Sequence, residues 1–413
     1  MVPMDLSDMQ SIEASNPAAD RRSLRLAVVT ETYPPEVNGV ALTLARVVEG
    51  LHRRGHDVQL IRPRQNPADS ARTSPRFHEV LMRGLPIPNY PSLRMGLPAR
   101  RALIRLWSEQ RPDAVHIATE GPLGWSALSA AAHLKLPVSS DFRTNFHAYS
   151  RYYRIGWLNR PVMAYLRWFH NRTGRTMVPT DALRRDLELI GLRNLSVVSR
   201  GVDTACFAPA QRSDDVRRSW GAEPDDLVVT CVGRLAPEKN LGVVLRAFEA
   251  IRAVQPRARL VWVGDGPQRD ELHARCPSAV FAGHRHGQQL AAHYASADLF
   301  LFPSLTETFG NVTTEAMASG LAVVAFDHAA AAQLIRHGDN GMLARCDDEA
   351  AFVQAALDLA AHPERRHTLG AQARRSACEL DWDVIVERFE GVVASLIQPL
   401  AAPVQPLKAV LEG

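Results

Sequence analysis

The chain has 413 residues, 46% of them hydrophobic and 22% charged, which is enough apolar material for two cores of ordinary size and too much chain for one. No run of 18 apolar residues occurs, which argues against a membrane-spanning helix, and the five cysteines form no Cys-x-x-Cys pair of metal or redox spacing. The net charge of +4 is unevenly spread: residues 1–199 carry 27 Lys+Arg against 17 Asp+Glu, and residues 200–413 carry 21 against 27, so the first half is expected to meet something anionic.

Residues 1–23 are polar and acidic before a basic pair, without the apolar stretch of a secretory leader, and read as a disordered segment. LRLAVVTE (24–31) is a short apolar strand, and Gly39 to Arg54 then places Val40, Leu44, Val47, Val48 and Leu51 on one helical face. DVQLIRP returns as a strand, which makes a βαβ unit and therefore a parallel sheet. PDAVHIAT, GWSALSAAAHLKL, PVSSDF, GRTMVPT and DALRRDLELIGL continue the alternation of strands and helices to residue 199. VSRGVD (198–203) reads as the crossing to a second domain. There DLVVTCVGR (226–234) is a strand, followed by a helix from Lys239 that carries Leu241, Val244, Leu245, Phe248 and Ile251 at helical spacing. ARLVWVGDGP, SAVFAG, ADLFLFPS and GLAVVAF supply further strands.

The expected architecture is α/β, with two Rossmann-like, doubly wound parallel-sheet domains over 24–199 and 200–380 facing across a cleft. DWDVIVERFEGVVASLI opens an amphipathic helix (381–398) that crosses back to the first domain, ahead of a flexible Pro- and Ala-rich tail (399–413). In such folds the ligand sits outside the carboxyl ends of the strands.

PSLTETFGNVTTEAMASG (303–320) sets Glu307 and Glu315 eight positions apart around Gly310. A helix is expected to start near Asn311 as its cap and to stop at Gly320. The free N–H groups of such a helix start favour an anion, and Gly310 lets that anion approach the backbone. Carboxylates would repel a phosphate, but their paired oxygens suit vicinal hydroxyls. An acid on each side of a phosphate site therefore describes a nucleotide diphosphate sugar. Two glutamates at arbitrary spacing would ordinarily be solvated turn and helix residues. The neighbouring VTCVGRLAPEKN (229–240) shifts that balance, because Arg234 and Lys239 add two cations at a strand end, where they can neutralise a diphosphate leaving group. GDGP (264–267) makes a third turn on the same face.

GVD, GRLAPEKN, VGDGP, FAGH and PSLTETFGNVTTEAMASGLAVVA, in that order, resemble the motifs of family 4 of the retaining glycosyltransferases. The resemblance runs from about residue 24 to residue 397 and includes ETYPPEVNGVALTLARVVEGLHRRGHDV. It implies the GT-B fold, with an N-terminal acceptor domain and a C-terminal nucleotide-sugar domain. It also implies that Glu307 contacts the transferred sugar and Glu315 the ribose, while Arg234 and Lys239 hold the diphosphate. Asn38 and Gly39 match the family's N-terminal glycine-rich turn. The donor site would further take Gly264, the backbone of Phe309, Gly310, Asn311 and Val312, and a nucleobase wall near His284 and Arg285. SSDFRTNFHAYSRYY (139–153) resembles a segment that reads S-x-H-T-N-F in many relatives and reaches the sugar, with Arg143, Asn145 and His147 on the sugar or acceptor side. Arg143 stands where relatives have a histidine, and a guanidinium cannot accept a proton. Retention in this fold is ascribed to front-face attack, in which the leaving phosphate itself takes the acceptor proton, so no protein base is required.

The likeness is greatest to the α-mannosyltransferase and sulfolipid-synthase branch, which favours GDP-mannose over a UDP-hexose as donor and a lipid-linked or glycan hydroxyl as acceptor. No bound cofactor and no metal are expected. Asp381 and Asp383 open a helix, where acids stabilise the N-terminus, and His52 and His56 have zinc spacing but no third ligand nearby in sequence. From Phe142 to Thr180 seven arginines, interleaved with Tyr and Trp, occur without an Asp or Glu. That composition suits an anionic membrane surface and points to a cytoplasmic protein, peripheral on the inner face of the cell membrane; it equally describes a core with a solvated basic face. Single-stranded nucleic acid would also accept arginine with aromatics, but the sugar-nucleotide motifs argue against it. Arg143 and the altered DHAAAAQL (327–334), where relatives often carry a glycine pair, leave open a catalytically silent sugar-nucleotide-binding subunit. A phosphorylase of the same fold would need a pyridoxal phosphate lysine and a much longer chain.

Overall fold

The structure, a computed structural model, describes residues 23–36, 39–87, 90–143, 159–307 and 309–397. The first domain runs through β1 (Arg25–Val29), α1 (Gly39–Arg53), β2 (Asp57–Pro63), β3 (Thr73–Ser74), β4 (Phe77–Met82), β5 (Gly84–Ile87), β6 (Tyr90–Gly96), α2 (Arg100–Glu109) and β7 (Ala114–Ile117). It continues through α3 (Pro122–Leu134), β8 (Val138–Asp141), α4 (Asn159–His170), β9 (Arg175–Val178), α5 (Asp181–Leu189) and β10 (Leu195–Val197). The sheet order is β10-β9-β8-β7-β1-β2-β4-β3, parallel except for the β3–β4 pair. Its central strands are buried along their length because helices cover both faces: all four residues of β7 and of β8 are buried, the polar His116, Ser139, Ser140 and Asp141 among them.

The second domain comprises α6 (Asp214–Ser219), β11 (Val228–Val232), α7 (Leu241–Val254), β12 (Arg259–Val263), α8 (Arg269–Arg275), β13 (Val280–Gly283), α9 (Gly287–Ser296) and β14 (Leu299–Phe302). After these come α10 (Asn311–Ala318), β15 (Ala322–Phe326), α11 (Ala329–Leu334), β16 (Met342–Ala344), α12 (Glu349–Ala361), α13 (Pro363–Cys378) and α14 (Trp382–Ile397). The order β13-β12-β11-β14-β15-β16 is wholly parallel. Its topology reverses between β11 and β14, and the first sheet reverses between β1 and β7. These are the two places where such sheets open a crevice at their carboxyl edge.

Two expectations need correcting. The helix after β11 starts at Leu241 and not at Lys239, because Pro237–Lys239 forms a 3-10 turn and Asn240 takes a left-handed φ of 55°. The cap of α10 is Gly310, at φ 95°, while Asn311 is already the first helical residue. The residues of β3, β5 and β6 carry no strand signal: β3 has two residues, and β5 and β6 contain Pro and Gly.

The chain crosses between the sheets twice, and the crossings are joined: the Val202 N–H donates to the Leu380 carbonyl at 3.0 Å, and the Thr204 hydroxyl donates to Asp381 at 2.9 Å. Beyond this point α14 lies on the first domain, where Val386, Phe389 and Val393 share a core with Leu44, Val48 and Leu51. Gly50 of α1 permits the approach, since a Cβ there would stand 2.5 Å from Val386 Cγ2. Arg54 Nε donates to Glu390 at 2.7 Å along the same seam. In an open helix Gly→Ala would stabilise. At this contact Gly50→Ala should instead lower stability by about 1–3 kcal/mol, the cost of overpacking. Adding Val386→Ala should restore part of the loss; thermal unfolding of the single and double variants measures both effects.

Candidate functional site

The carboxyl ends of β11 and β14 flank the reversal of the second sheet, so the loops that follow them face each other. The loop after β11 carries Arg234 and Lys239, and the loop after β14 carries Glu307. Thr306 ties the two together by donating to the Glu238 carbonyl at 3.1 Å. Lys239 Nζ is ion-paired with Glu307 Oε1, which also accepts from Ser304 Oγ at 2.8 Å. Both partners are mostly shielded, with side-chain exposures of 19% and 17%. Lys239, expected on a phosphate, thus rests on the carboxylate expected to hold a sugar. Arg234 is far more open, at 63%, and leans on Glu238 at 3.6 Å.

Gly264 proves to be a packing position. A Cβ there would lie 2.0 Å from the Gly233 carbonyl oxygen, and one at Gly266 would lie 2.4 Å from that of Leu235. The Leu235 N–H donates to the Asp265 carbonyl at 3.0 Å. The glycines therefore let the GDGP turn brace the loop that presents Arg234.

The left-handed Gly310 turns the chain into α10, whose first N–H groups have no carbonyl partner within the helix and no side-chain cap. Phe309 is buried and its carbonyl accepts from the Ala330 N–H at 2.8 Å, while Val312 packs on the core of the second sheet. One turn into α10, Glu315 accepts from the Tyr294 hydroxyl of α9 at 2.9 Å. Burial pushes the Glu315 carboxyl up to about 7, against the lowering effect of that hydrogen bond. At neutral pH it can both donate to and accept from a diol. Beside Tyr294 on α9, His293 receives the Arg285 Nε–H at 3.4 Å; burial lowers the His293 pKa, so the ring is available as an acceptor. His284 is exposed and stacks on His286.

Across the cleft Gly39 is the exposed first residue of α1. Arg143 is held by Asp141, which His116 also contacts at 3.1 Å. Burial acts against the charge of Asp141, but Arg143 and His116 together hold its carboxyl down at about 2. Arg143 is therefore a fixed cation. Asn38, Asn145 and His147 lie outside the described residues.

Sequence reasoning missed four groups. Arg200 donates to Asn311 Oδ1 across the cleft at 3.3 Å. Tyr294 orients Glu315. Glu31 and Glu120 flank the reversal of the first sheet, and burial raises both to about 7; Glu31 accepts the Leu123 N–H at the start of α3. None of the four stands at a spacing that periodicity detects. Among the described residues no cluster of His, Cys, Asp or Glu is arranged to hold a metal ion.

Residues 37–205 match the family described as Glycosyltransferase Family 4, and residues 226–362 match the one described as Glycosyl transferases group 1. A GDP-mannose-dependent alpha-mannosyltransferase of Mycolicibacterium smegmatis is 36% identical over 373 residues, covering 89% of this chain and 96% of its own. The chain belongs to glycosyltransferase family 4. Another relative of this family 4 enzyme is the sulfoquinovosyl transferase SQD2 of Arabidopsis thaliana, 29% identical over 90% of this chain and 74% of its own. The sucrose-phosphate synthase of Thermosynechococcus elongatus shares the fold, with a TM-score of 0.73 at 18% identity over 90% of this chain and 98% of that one. The family 4 transferase is thus a GT-B hexosyltransferase that uses a nucleotide sugar, and no helix among its described residues is long and apolar enough to cross a membrane.

The raised Glu315 makes a signed prediction. Between pH about 4.5 and about 7 the folded state holds a proton that the unfolded chain has released. The contribution of this group to stability therefore falls as pH rises through that window. Glu315→Gln should lose less thermal stability than wild type between pH 5 and pH 7, and parallel melting curves of the two proteins would contradict the raised pKa.

Proposed function

We propose that this enzyme transfers a mannosyl residue from GDP-mannose, with retention, to a hydroxyl of a glycolipid acceptor at an anionic membrane surface on the cytoplasmic side. The observation that carries the reading is the meeting of Glu307, Lys239 and the N-terminus of α10 at the reversal of the second sheet. The named activity of the mannosyltransferase relatives supports mannose and guanine. The sulfoquinovosyl transferase and the alpha-monoglucosyldiacylglycerol synthases among the relatives support a lipid-linked acceptor.

In this reading the donor enters between Lys239 and Glu307. The carboxylate turns to the hexose hydroxyls while the ammonium, with Arg234 and the α10 backbone N–H groups, faces the diphosphate. Glu315 holds the ribose diol. Arg285, tethered through Nε to His293, keeps its two terminal nitrogens for the guanine edge, whose O6 and N7 match a guanidinium fork. The acceptor oxygen attacks the anomeric carbon on the face the phosphate leaves. The bond to the phosphate oxygen breaks with its electron pair, and the acceptor proton passes to that oxygen. Arg143 takes no proton here and acts as a fixed positive charge.

On the first domain α4 exposes Tyr165 and Trp168, whose rings stack at 6.1 Å, with the Arg172 guanidinium 4.2 Å from the Trp168 ring centre. Aromatic rings beside arginine suit the headgroup layer, and α4 carries Arg160 and Arg167 as well.

Glu307→Gln should keep GDP affinity within a few-fold and lower mannosyl transfer by about 100-fold or more, as for loss of a charged transition-state contact. Full turnover in that variant would sink the role. In a thermal-shift panel GDP should raise the melting temperature more than UDP or ADP. The protein should co-sediment with vesicles containing anionic lipid and not with neutral ones, and Trp168→Ala with Arg172→Ala should weaken that binding.

A further inference from the structure

Arg200 lies in the first crossing between the domains, where its nearest polar neighbours supply positive potential and no paired carboxylate. Its Nη1 stands 3.3 Å from Asn311 Oδ1, at the first residue of α10. The same nitrogen would be 3.7 Å from a Cβ on Gly39, the first residue of α1. Two helix N-termini, one from each domain, therefore converge on a single guanidinium, and each contributes positive potential. Arg143 lines the same small cavity as Arg200 and adds a like charge. The Arg200 guanidinium also lies 5.7 Å from the centre of the Phe309 ring.

The carboxylates within electrostatic reach are committed elsewhere. Asp141 is taken by Arg143 and His116, and Glu307 by Lys239 and Ser304. Among the described residues Arg200 has one hydrogen bond, to a neutral amide oxygen, and no ion pair. A guanidinium has five N–H donors, and a half-buried one beside a like charge and two helix N-termini calls for an anion. The cation is already destabilised there: burial, and then Arg143, lower its pKa to about 10.

We propose that Arg200 binds the sugar-bearing phosphate of the donor diphosphate, closing the space between the N-termini of α1 and α10. This assignment rests on the nucleotide-sugar reading above and adds a cation to it from outside the second domain. Arg234 and Lys239 reach the diphosphate from the second sheet, and Arg200 reaches it from the crossing. As the glycosidic bond breaks and its electron pair stays on the phosphate oxygen, Arg200 meets the charge that develops. Because it sits between the helix starts, the bound phosphate joins the two domains.

The test compares GMP, GDP, UMP and UDP as ligands of wild type, Arg200→Met and Arg200→Lys by titration calorimetry. Arg200→Met should bind the diphosphate that wild type prefers about 10- to 100-fold more weakly, the worth of a charged hydrogen bond, with the matching monophosphate unaffected. Arg200→Lys should recover part of the loss, since an ammonium keeps the charge without the fork. If the ratio of diphosphate to monophosphate affinity in Arg200→Met equals that of wild type, the assignment falls and the donor reading stands. A wild type that binds neither GDP nor UDP overturns both. Should Arg200→Met fail to show a cooperative thermal transition, Arg200→Lys decides alone: an undiminished diphosphate preference overturns the proposal. An oxyanion carried by the acceptor instead of the donor would appear as a raised acceptor KM with unchanged GDP binding, which also overturns it.

Discussion

Neighbouring connections diverge at two places in this fold, and the groups in the cleft owe their positions to that divergence. A parallel sheet must send its chain over one face or the other after every strand, and where two adjacent strands choose opposite faces the loops at their carboxyl ends part. Between β11 and β14 this opens the space in which Arg234, Lys239 and Glu307 lie. Between β1 and β7 it opens the space flanked by Glu31 and Glu120. The chemistry is then set by a few side chains on short loops, braced by close backbone contacts such as that of Gly264 with Gly233.

The ion pair of Lys239 with Glu307 has a thermodynamic role beyond tethering two loops. Each charge is mostly withdrawn from water, so each needs its partner while the site is empty. In the function proposed, a donor presenting hydroxyls to one and phosphate to the other would exchange that internal pair for two external contacts, leaving neither charge buried alone. Glu315 solves a similar problem differently. Tyr294 supplies one hydrogen bond, and the carboxyl retains a proton near neutrality in place of a counter-ion.

Much of this was legible in the residues. Apolar strands alternating with helices of period 3.6 led to two parallel sheets, and the carboxylates around Gly310 led to the cleft loop. Three kinds of feature were hidden for physical reasons. The hairpin of β5 and β6 is built from Pro- and Gly-containing residues whose pairing is decided by neighbours and not by their own pattern. The cap of α10 fell to Gly310 because a left-handed turn was needed there, which outweighed the capping propensity of Asn311. Arg200 and Asn311 are 111 positions apart, and no local spacing can announce a meeting across a cleft.

The return of α14 bears on how the protein comes into being during synthesis. Val386, Phe389 and Val393 belong to the core of the first domain, yet they are translated after the whole second domain. A ribosome extending the chain releases the first sheet with the apolar stripe of α1 uncovered, and holds it so until almost four hundred residues have been made. The first domain can complete its core only after the second has been translated, so assembly of the cleft between them is tied to a late stage of synthesis.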